Sequence, residues 1–322
     1  MNVPIISVII PTYNSEKTIK ITVESILNQS FHNFELIIIN DGSNDSTLDI
    51  ISNIHDSRIK LFTYSNAGAN VSRNRGLSYA VGEFVSFIDA DDIWTNDKLQ
   101  SQIKALQDNP EATVSYSWTD YIDENDQFVV SGTHIAVNGN VYEELLLTNF
   151  LENGSNPLIR KEALIELGGF DESLNAGQDW EMWLRLAAKY NFVAVPKVQI
   201  LYRISPKSQS SNLARQEKAC LQVLEKAYQL KSPVNKINLS ASLANLYKYL
   251  TCKALQKPYN RHKALVASRF LWNYIINEPQ KNQRLRFIFK LSAKIAIILF
   301  FPTYLSTLLL NKAKTKEKIQ VC

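Results

Sequence analysis

The sequence predicts an α/β chain: a doubly wound, mostly parallel sheet with flanking helices, followed by a helical extension. Three observations carry this. Between residues 5 and about 90, short β-branched runs alternate with helix-periodic stretches, the pattern of parallel strands joined by helical crossovers. The polar segments PTYN, NDGSND and DADD each begin where a strand-like run stops. Beyond Ser210 turn signals thin out and the chain is mainly helical in character.

The elements follow in order. Ile5 to Ile10 (IISVII) reads as a strand buried on both faces, and Pro11-Thr12-Tyr13-Asn14 as the loop after it. Ile19, Val23, Ile26 and Leu27 fall at helical spacing within residues 15–29, with Ser15 as N-cap. Phe34 to Ile39 is the second strand and runs into Asn40-Asp41-Gly42-Ser43-Asn44-Asp45. A helix from about Ser46, a strand at Ile59 to Thr63, a helix from about Ala69 to near Gly82, and a strand at Phe84 to Ile88 complete the alternation. Thr113 to Trp118 and Phe128 to Val130 are further strands, after which the pattern becomes irregular up to about 205. We expect one domain over 1–210 and a helical extension over 211–322.

Bulk properties narrow the function classes. The chain has 322 residues, 45% of them hydrophobic, and a net charge of only +4, so it is a folded chain and no nucleic-acid partner is expected. Cys220, Cys252 and Cys322 are far apart without CxxC spacing, which indicates neither a zinc site nor a disulfide scaffold. A reducing, cytoplasmic setting fits. The N-terminal MNVPIISVIIPTYN lacks a basic leader and a small-residue cleavage site, so it reads as a strand rather than a signal peptide.

In such a sheet, ligands bind beyond the carboxyl ends of the strands. The three polar loops should therefore line one crevice. No GxGxxG follows the first strand and no GxxxxGK[ST] occurs anywhere, so dinucleotide oxidoreductase and P-loop readings are weak. A diphosphate bound without a glycine cradle needs a cation and basic side chains. Asp89, Asp91 and Asp92 of FIDADDIW offer oxygen ligands suited to Mn2+ or Mg2+. A calcium loop starting at Asp89 would need Gly and Glu where Trp94 and Gln100 stand. An aspartate-nucleophile phosphatase and a plain solvated turn remain as rivals for this segment.

Arg73 and Arg75 lie early in a helix, where a guanidinium can meet phosphate oxygens; for Arg75 an ordinary solvated helix surface is the better reading. Asp41 accepts hydrogen bonds only, so it can read a ring N–H of uracil, thymine or guanine. Tyr13 is placed to stack on a base. In QDWEMWLRL, Trp180, Trp183, Leu184 and Ala187 share a helical face and leave Asp179 at the helix start. Two readings of Asp179 stay open there: a carboxylate favoured by the helix N-terminus, or a general base whose pKa is held up by burial.

SVIIPTYN, NDGSNDST, SRNRG, FIDADD, GGFDESL and QDWEMWLRL occur in that order. The combination resembles glycosyltransferase family 2, the inverting, nucleotide-sugar-dependent enzymes of GT-A fold, over about residues 5–205. The resemblance implies that Pro11, Thr12, Tyr13 and Asp41 line the base and ribose pocket, that Arg73 contacts the nucleotide, and that Asp89 faces the ribose. It implies that Asp91 binds a divalent metal, Mn2+ or Mg2+, and that Asp179 is the catalytic base. The family usually has an acid where this chain has Gln178. Many relatives have His at the position of Ser205, where it helps hold metal or diphosphate; Arg203 and Lys207 are the nearby cations that would compensate.

The implied activity is transfer of a sugar from a nucleotide diphosphate sugar, UDP-sugar favoured, to a hydroxyl of a glycan, glycolipid or protein acceptor, in polysaccharide or glycoconjugate biosynthesis. The alternative is a non-catalytic nucleotide-sugar or glycan-binding module on the same fold. At the far end, Arg286, Lys290 and Lys294 form a basic stripe beside Ile288, Leu291, Ile295 and Ile298. Ile295 to Leu310 then runs sixteen residues without a charge but contains Pro302, short for a span of about 20 residues. We expect residues 284–311 to associate with an anionic membrane surface on its cytoplasmic face.

Overall fold

The computed structural model describes residues 3–205, 212–230 and 236–314. These divide into two compact units, one formed by residues 1–145 with 149–209 and the other by 146–148 with 210–322.

In the first unit the chain runs β1 (Ile6–Thr12), α1 (Ile19–Leu27), β2 (Phe34–Asn40), α2 (Thr47–Ser52), β3 (Ile59–Thr63), α3 (Ala69–Tyr79), β4 (Phe84–Phe87), β5 (Ile93–Trp94), α4 (Lys98–Asp108), β6 (Ala112–Ile122) and β7 (Phe128–Ser131). There follow α5 (Tyr142–Leu147), which crosses the division between the units, β8 (Leu158–Arg160), α6 (Lys161–Glu166), α7 (Gln178–Lys189) and β9 (Asn191–Arg203). The strands form one sheet in the order β3-β2-β1-β4-β8-β6-β9-β5, with β7 pairing the carboxyl end of β6 off this path.

β1, β2, β3 and β4 are parallel neighbours, so their carboxyl ends open on one edge, as the alternating pattern predicts. The sheet becomes mixed beyond β4, because β8 runs antiparallel to both β4 and β6. The core is made by Ile6, Val8, Ile10, Leu36 and Ile38 of the central strands, packed on Ile19, Val23, Ile26, Leu99 and Ile103 of α1 and α4. Every residue of β1 and β2 is buried, which explains why these strands are continuous apolar runs rather than alternating ones.

Several boundaries differ from the sequence reading, β6 by reaching Ile122 and three ahead of β4. β1 continues through Pro11 and Thr12, each paired with β2. Proline is tolerated there because β4 pairs with β1 only as far as Ile9. The helix after β1 starts at Ile19 with Thr18 as N-cap, since Ser15 forms a preceding turn by accepting from the N–H groups of Thr18 and Ile19. α3 stops at Tyr79, because Ala80 turns extended to lead into β4.

The second unit contains α8 (Leu213–Leu230), α9 (Lys236–Ala254), α10 (Arg261–Asn277), a 3-10 turn at Lys281–Arg284, α11 (Leu285–Phe300) and α12 (Thr303–Lys314). Pro302 separates α11 from α12. Leu291, Ile295 and Ile298 form the buried stripe of α11. Among the described residues no helix is long and apolar enough to cross a membrane.

Candidate active site

The ends of β1 and β2 are laced together. Asp41 donates its N–H to the Thr12 carbonyl (2.8 Å), Asn14 donates its N–H to Ser43 Oγ (3.0 Å), and Asn44 donates its N–H to Asn14 Oδ1 (2.8 Å). Pro11 and Thr12 are buried, whereas Tyr13 is 47% exposed, so of this trio it is the side chain open to solvent. Asp41 is buried, and its two oxygens accept the N–H groups of Ala67 (2.9 Å) and Gly68 (2.8 Å). Each oxygen keeps a second lone pair, so Asp41 both shapes the 67–68 turn and retains acceptor capacity. Arg75 is not a solvated surface arginine. It lies 3.6 Å from Asp41 and over the ring of Tyr64, 4.3 Å from its centroid.

Arg73 points inward. Its side chain is 4% exposed, and Nη2 pairs with Asp89 Oδ1 at 2.5 Å while Nη1 donates to Asn70 Oδ1 at 3.3 Å. The guanidinium also lies over the ring of Phe170 at 5.4 Å. As folded, its Nη1 and Nη2 are engaged by Asn70 and Asp89.

The acid loop follows β4. Asp89 and Asp91 are half-buried and Asp92 is fully buried. Burial and then the neighbouring Asp89 push the Asp91 carboxyl up to about 6, while the Arg203 charge opposes the rise. Among the described residues no side chain donates a hydrogen bond to the Asp91 carboxylate. Like charges gathered with so little compensation fit a cation as partner. No group of three or more His, Cys, Asp or Glu converges as a metal site among the described residues. Magnesium-type sites commonly use one or two carboxylates and complete the shell with water and substrate phosphate, so Asp91, with Asp89 beside it, suits that arrangement.

Asp179 lies in the first turn of α7, behind Gly177 in the left-handed conformation. Burial raises its pKa, against the lowering effects of the Trp180 N–H and the Arg73 charge. The helix is fixed from several sides. Trp180 Nε1 donates to the Leu145 carbonyl (2.8 Å), and Arg185 binds Glu181 and the carbonyls of Leu167 and Gly169. α3 grips the segment leading into it. Asn70 donates to the carbonyls of Asp171 (2.8 Å) and Leu174 (3.0 Å), and Asn74 exchanges two hydrogen bonds with the Phe170 backbone. Gly169, at φ +73°, passes so close that a Cβ would fall 2.5 Å from Asn74 Oδ1. The GGFDESL segment is therefore the strap that carries α7 to α3.

Gly154 marks where these parts meet. A Cβ placed on it would lie 3.6 Å from Arg73 Nη2, 3.9 Å from Asp179 Cβ and 4.0 Å from Asp89 Oδ2. Residues far apart in sequence thus surround one small volume at the sheet edge. A model of the glycosyltransferase like family 2 matches residues 7–254.

The chain belongs to that family. It is a glycosyltransferase, and its sheet and helices are those of the GT-A fold. Among family members in Escherichia coli, it is 34% identical over 223 residues to UDP-Glc:alpha-D-GlcNAc-diphosphoundecaprenol beta-1,3-glucosyltransferase WfgD, an alignment covering 68% of this chain and 85% of WfgD. S. aureus TarS 1-349, solved with UDP-GlcNAc, superposes with a TM-score of 0.57 at 19% identity, covering 87% of this chain and 91% of that one. The Pyrobaculum calidifontis mannosyltransferase PcManGT, solved with GDP-Man and Mn2+, gives a TM-score of 0.60 at 19% identity over 94% of this chain and 83% of its own. At these identities the two structures speak for the shared fold.

Other features of this glycosyltransferase escaped the sequence reading. Gly154 and Ser155 belong to Asn153-Gly154-Ser155-Asn156-Pro157, which carries no periodicity and no charge; its only signal is a dense cluster of turn residues. Ser205, where many family members have histidine, donates to Glu124 Oε1 (2.8 Å). Arg203, expected as a phosphate contact, is buried. It donates to the carbonyls of Asp91 (2.9 Å) and Asp123 (3.0 Å) and pairs with Asp126 at 2.5 Å. Its Nε and Nη1 are thus engaged in holding loops. Lys207 lies outside the described residues.

Proposed function

We propose that this chain is a metal-dependent, inverting glycosyltransferase that moves a sugar from a nucleotide diphosphate sugar, UDP-sugar favoured, to an acceptor hydroxyl. The observation that carries this is the convergence of Arg73, Asp89 and Asp179 around Gly154. Tyr13, with Pro11, Thr12 and Asp41 behind it, lines the base and ribose pocket. Asp89 faces the ribose and is held in place by Arg73. Asp91, beside Asp89, would hold Mn2+ or Mg2+, which would supply positive charge against the leaving diphosphate.

Asp179 takes the proton of the acceptor hydroxyl. That oxygen forms a bond to the anomeric carbon as the carbon–oxygen bond to the diphosphate breaks, and the electron pair leaves with the diphosphate. A single in-line displacement inverts the configuration. Burial keeps Asp179 basic enough to act, and the inward-facing Arg73 stabilises the negative charge of the site.

The acceptor is a glycan, glycolipid or protein in polysaccharide or glycoconjugate assembly. The activity in the name of WfgD, which concerns a diphosphoundecaprenol-linked sugar, favours a lipid-linked acceptor. A peripheral place on the cytoplasmic face of a membrane agrees with α11 and α12. There Phe289 is 75% exposed and Phe300 79% exposed, beside exposed Arg286 and Lys290, an apolar and basic surface suited to anionic lipid. Incubating the protein with a panel of sugar nucleotides, with and without manganese, tests the reading. Manganese-dependent release of nucleoside diphosphate that needs an acceptor supports it; no turnover of any donor with lipid-linked acceptors refutes it.

A further inference from the structure

The third acid of the loop, Asp92, is the buried one. Its side chain is fully buried, as is Ser155. The Ser155 hydroxyl donates to Asp92 Oδ2, and the Arg203 N–H donates to Asp92 Oδ1 at 3.1 Å. The Asp89 N–H in turn donates to Ser155 Oγ at 2.9 Å. Ser155 Oγ thus stands between the Asp92 carboxyl and the Asp89 amide, accepting from the latter. The same loop is pinned elsewhere: Thr22 Oγ1 donates to the carbonyls of Ala90 (3.1 Å) and Asp92 (2.8 Å), and Arg203 Nε to that of Asp91 (2.9 Å). Ser155 is fixed too, by its N–H to Asn153 Oδ1 (3.0 Å) and by its carbonyl accepting from Trp94 Nε1 (2.9 Å).

We infer that Asp92 and Ser155 are positioning residues, a buried carboxylate–hydroxyl–amide relay that aims the Asp89 and Asp91 side chains at the donor diphosphate and its cation. The relay also ties this aim to Gly154, the chain neighbour of Ser155, and to the end of β9 through Arg203. The inference rests on the reading of Asp91 as the cation-binding side chain. Partners one shell out from a metal ligand commonly change metal affinity by about 10–100-fold when removed. Ser155→Ala deletes both hydrogen bonds of the relay and leaves the Asp89 N–H without its acceptor. Asp92→Asn keeps the shape but turns one acceptor into a donor.

The test is calorimetry on the full-length chain, titrating UDP or GDP, whichever the wild type binds, at stepped manganese concentrations. Melting curves establish that each variant is folded. Ser155→Ala should raise the manganese half-saturation about tenfold, and Asp92→Asn should raise it in the same direction. The double variant should be no worse than the more affected single one, because both break one chain of contacts. Acceptor KM should stay unchanged. Wild-type half-saturation in folded Ser155→Ala overturns the relay, and so do additive losses in the double variant. If Ser155→Ala does not fold, wild-type half-saturation in Asp92→Asn overturns it equally. Asp91→Ala separates the two levels: if manganese-dependent binding survives that change, the cation reading falls together with the relay. If Asp91→Ala abolishes binding while Ser155→Ala leaves it untouched, the relay alone falls.

Discussion

Gly154→Ala should silence the enzyme without disturbing its fold. The added methyl would stand 3.6 Å from Arg73 Nη2, 3.9 Å from Asp179 Cβ and 4.0 Å from Asp89 Oδ2. These are ordinary van der Waals separations, so no neighbour has to move, and stability should stay within about 0.5 kcal/mol of wild type. The methyl nevertheless occupies the volume between the proposed base and the donor-side acid. A misplacement of about 1 Å at a reacting centre costs on the order of 100-fold in rate, which sets the expected loss in kcat/KM. Gly82→Ala is the contrasting control. Its Cβ would lie 2.7 Å from the Ser7 nitrogen and 2.8 Å from the Ile6 carbonyl carbon, so backbone must shift, at a cost of about 1–3 kcal/mol. Coupled transfer assays and thermal melts on both variants make the comparison. Wild-type kcat/KM in Gly154→Ala would refute the claim that chemistry occurs in that volume.

Other outcomes follow from the same geometry. Asp179→Asn should lower kcat by about 10²–10⁴-fold while manganese-dependent nucleotide binding persists; single-turnover assays and calorimetry check this. Because burial raises the Asp179 pKa and the carboxylate is the active form, kcat/KM should fall with decreasing pH at values above the ordinary aspartate range. A folded pKa above the unfolded one means stability present at low pH and lost as pH rises through the folded value. Asp179→Asn should therefore raise the melting temperature at neutral pH, and an unchanged or lowered one would count against the burial argument. Arg286→Glu combined with Lys290→Glu should weaken sedimentation with phosphatidylserine vesicles by about tenfold or more, at roughly 1 kcal/mol per basic residue; equal sedimentation would remove the membrane reading.

The parallel half of the sheet was legible because its strands and helices impose different periods on the sequence, and each strand end carries a polar loop. The half after residue 110 was not. β9 is thirteen residues long, yet Pro196 and Lys197 interrupt its pattern. They fall where the register with β6 skips from Val195 to Val198, an irregularity that absorbs the proline. β8 and β5 are three and two residues long, too short for any period. At the candidate site, the acid cluster of FIDADD stood out by its spacing, but the direction of the arginines did not. Nothing in SRNRG distinguishes Arg73, buried against Asp89, from Arg75, packed on Tyr64. Residues that act by backbone approach or by a single hydroxyl, Gly154 and Ser155, leave only a turn-rich signature.

The grip of α3 on the 170–174 strap has a mechanical consequence. Asn70 and Asn74 hold the entry to α7, while Arg73, between them in sequence, holds Asp89. One helix thus sets the spacing between Asp89 and the segment that delivers Asp179, like a gauge block between two parts. A shift of α3 would carry both attachments with it, so the separation proposed between donor side and base depends on the length of one helix rather than on the register of the sheet.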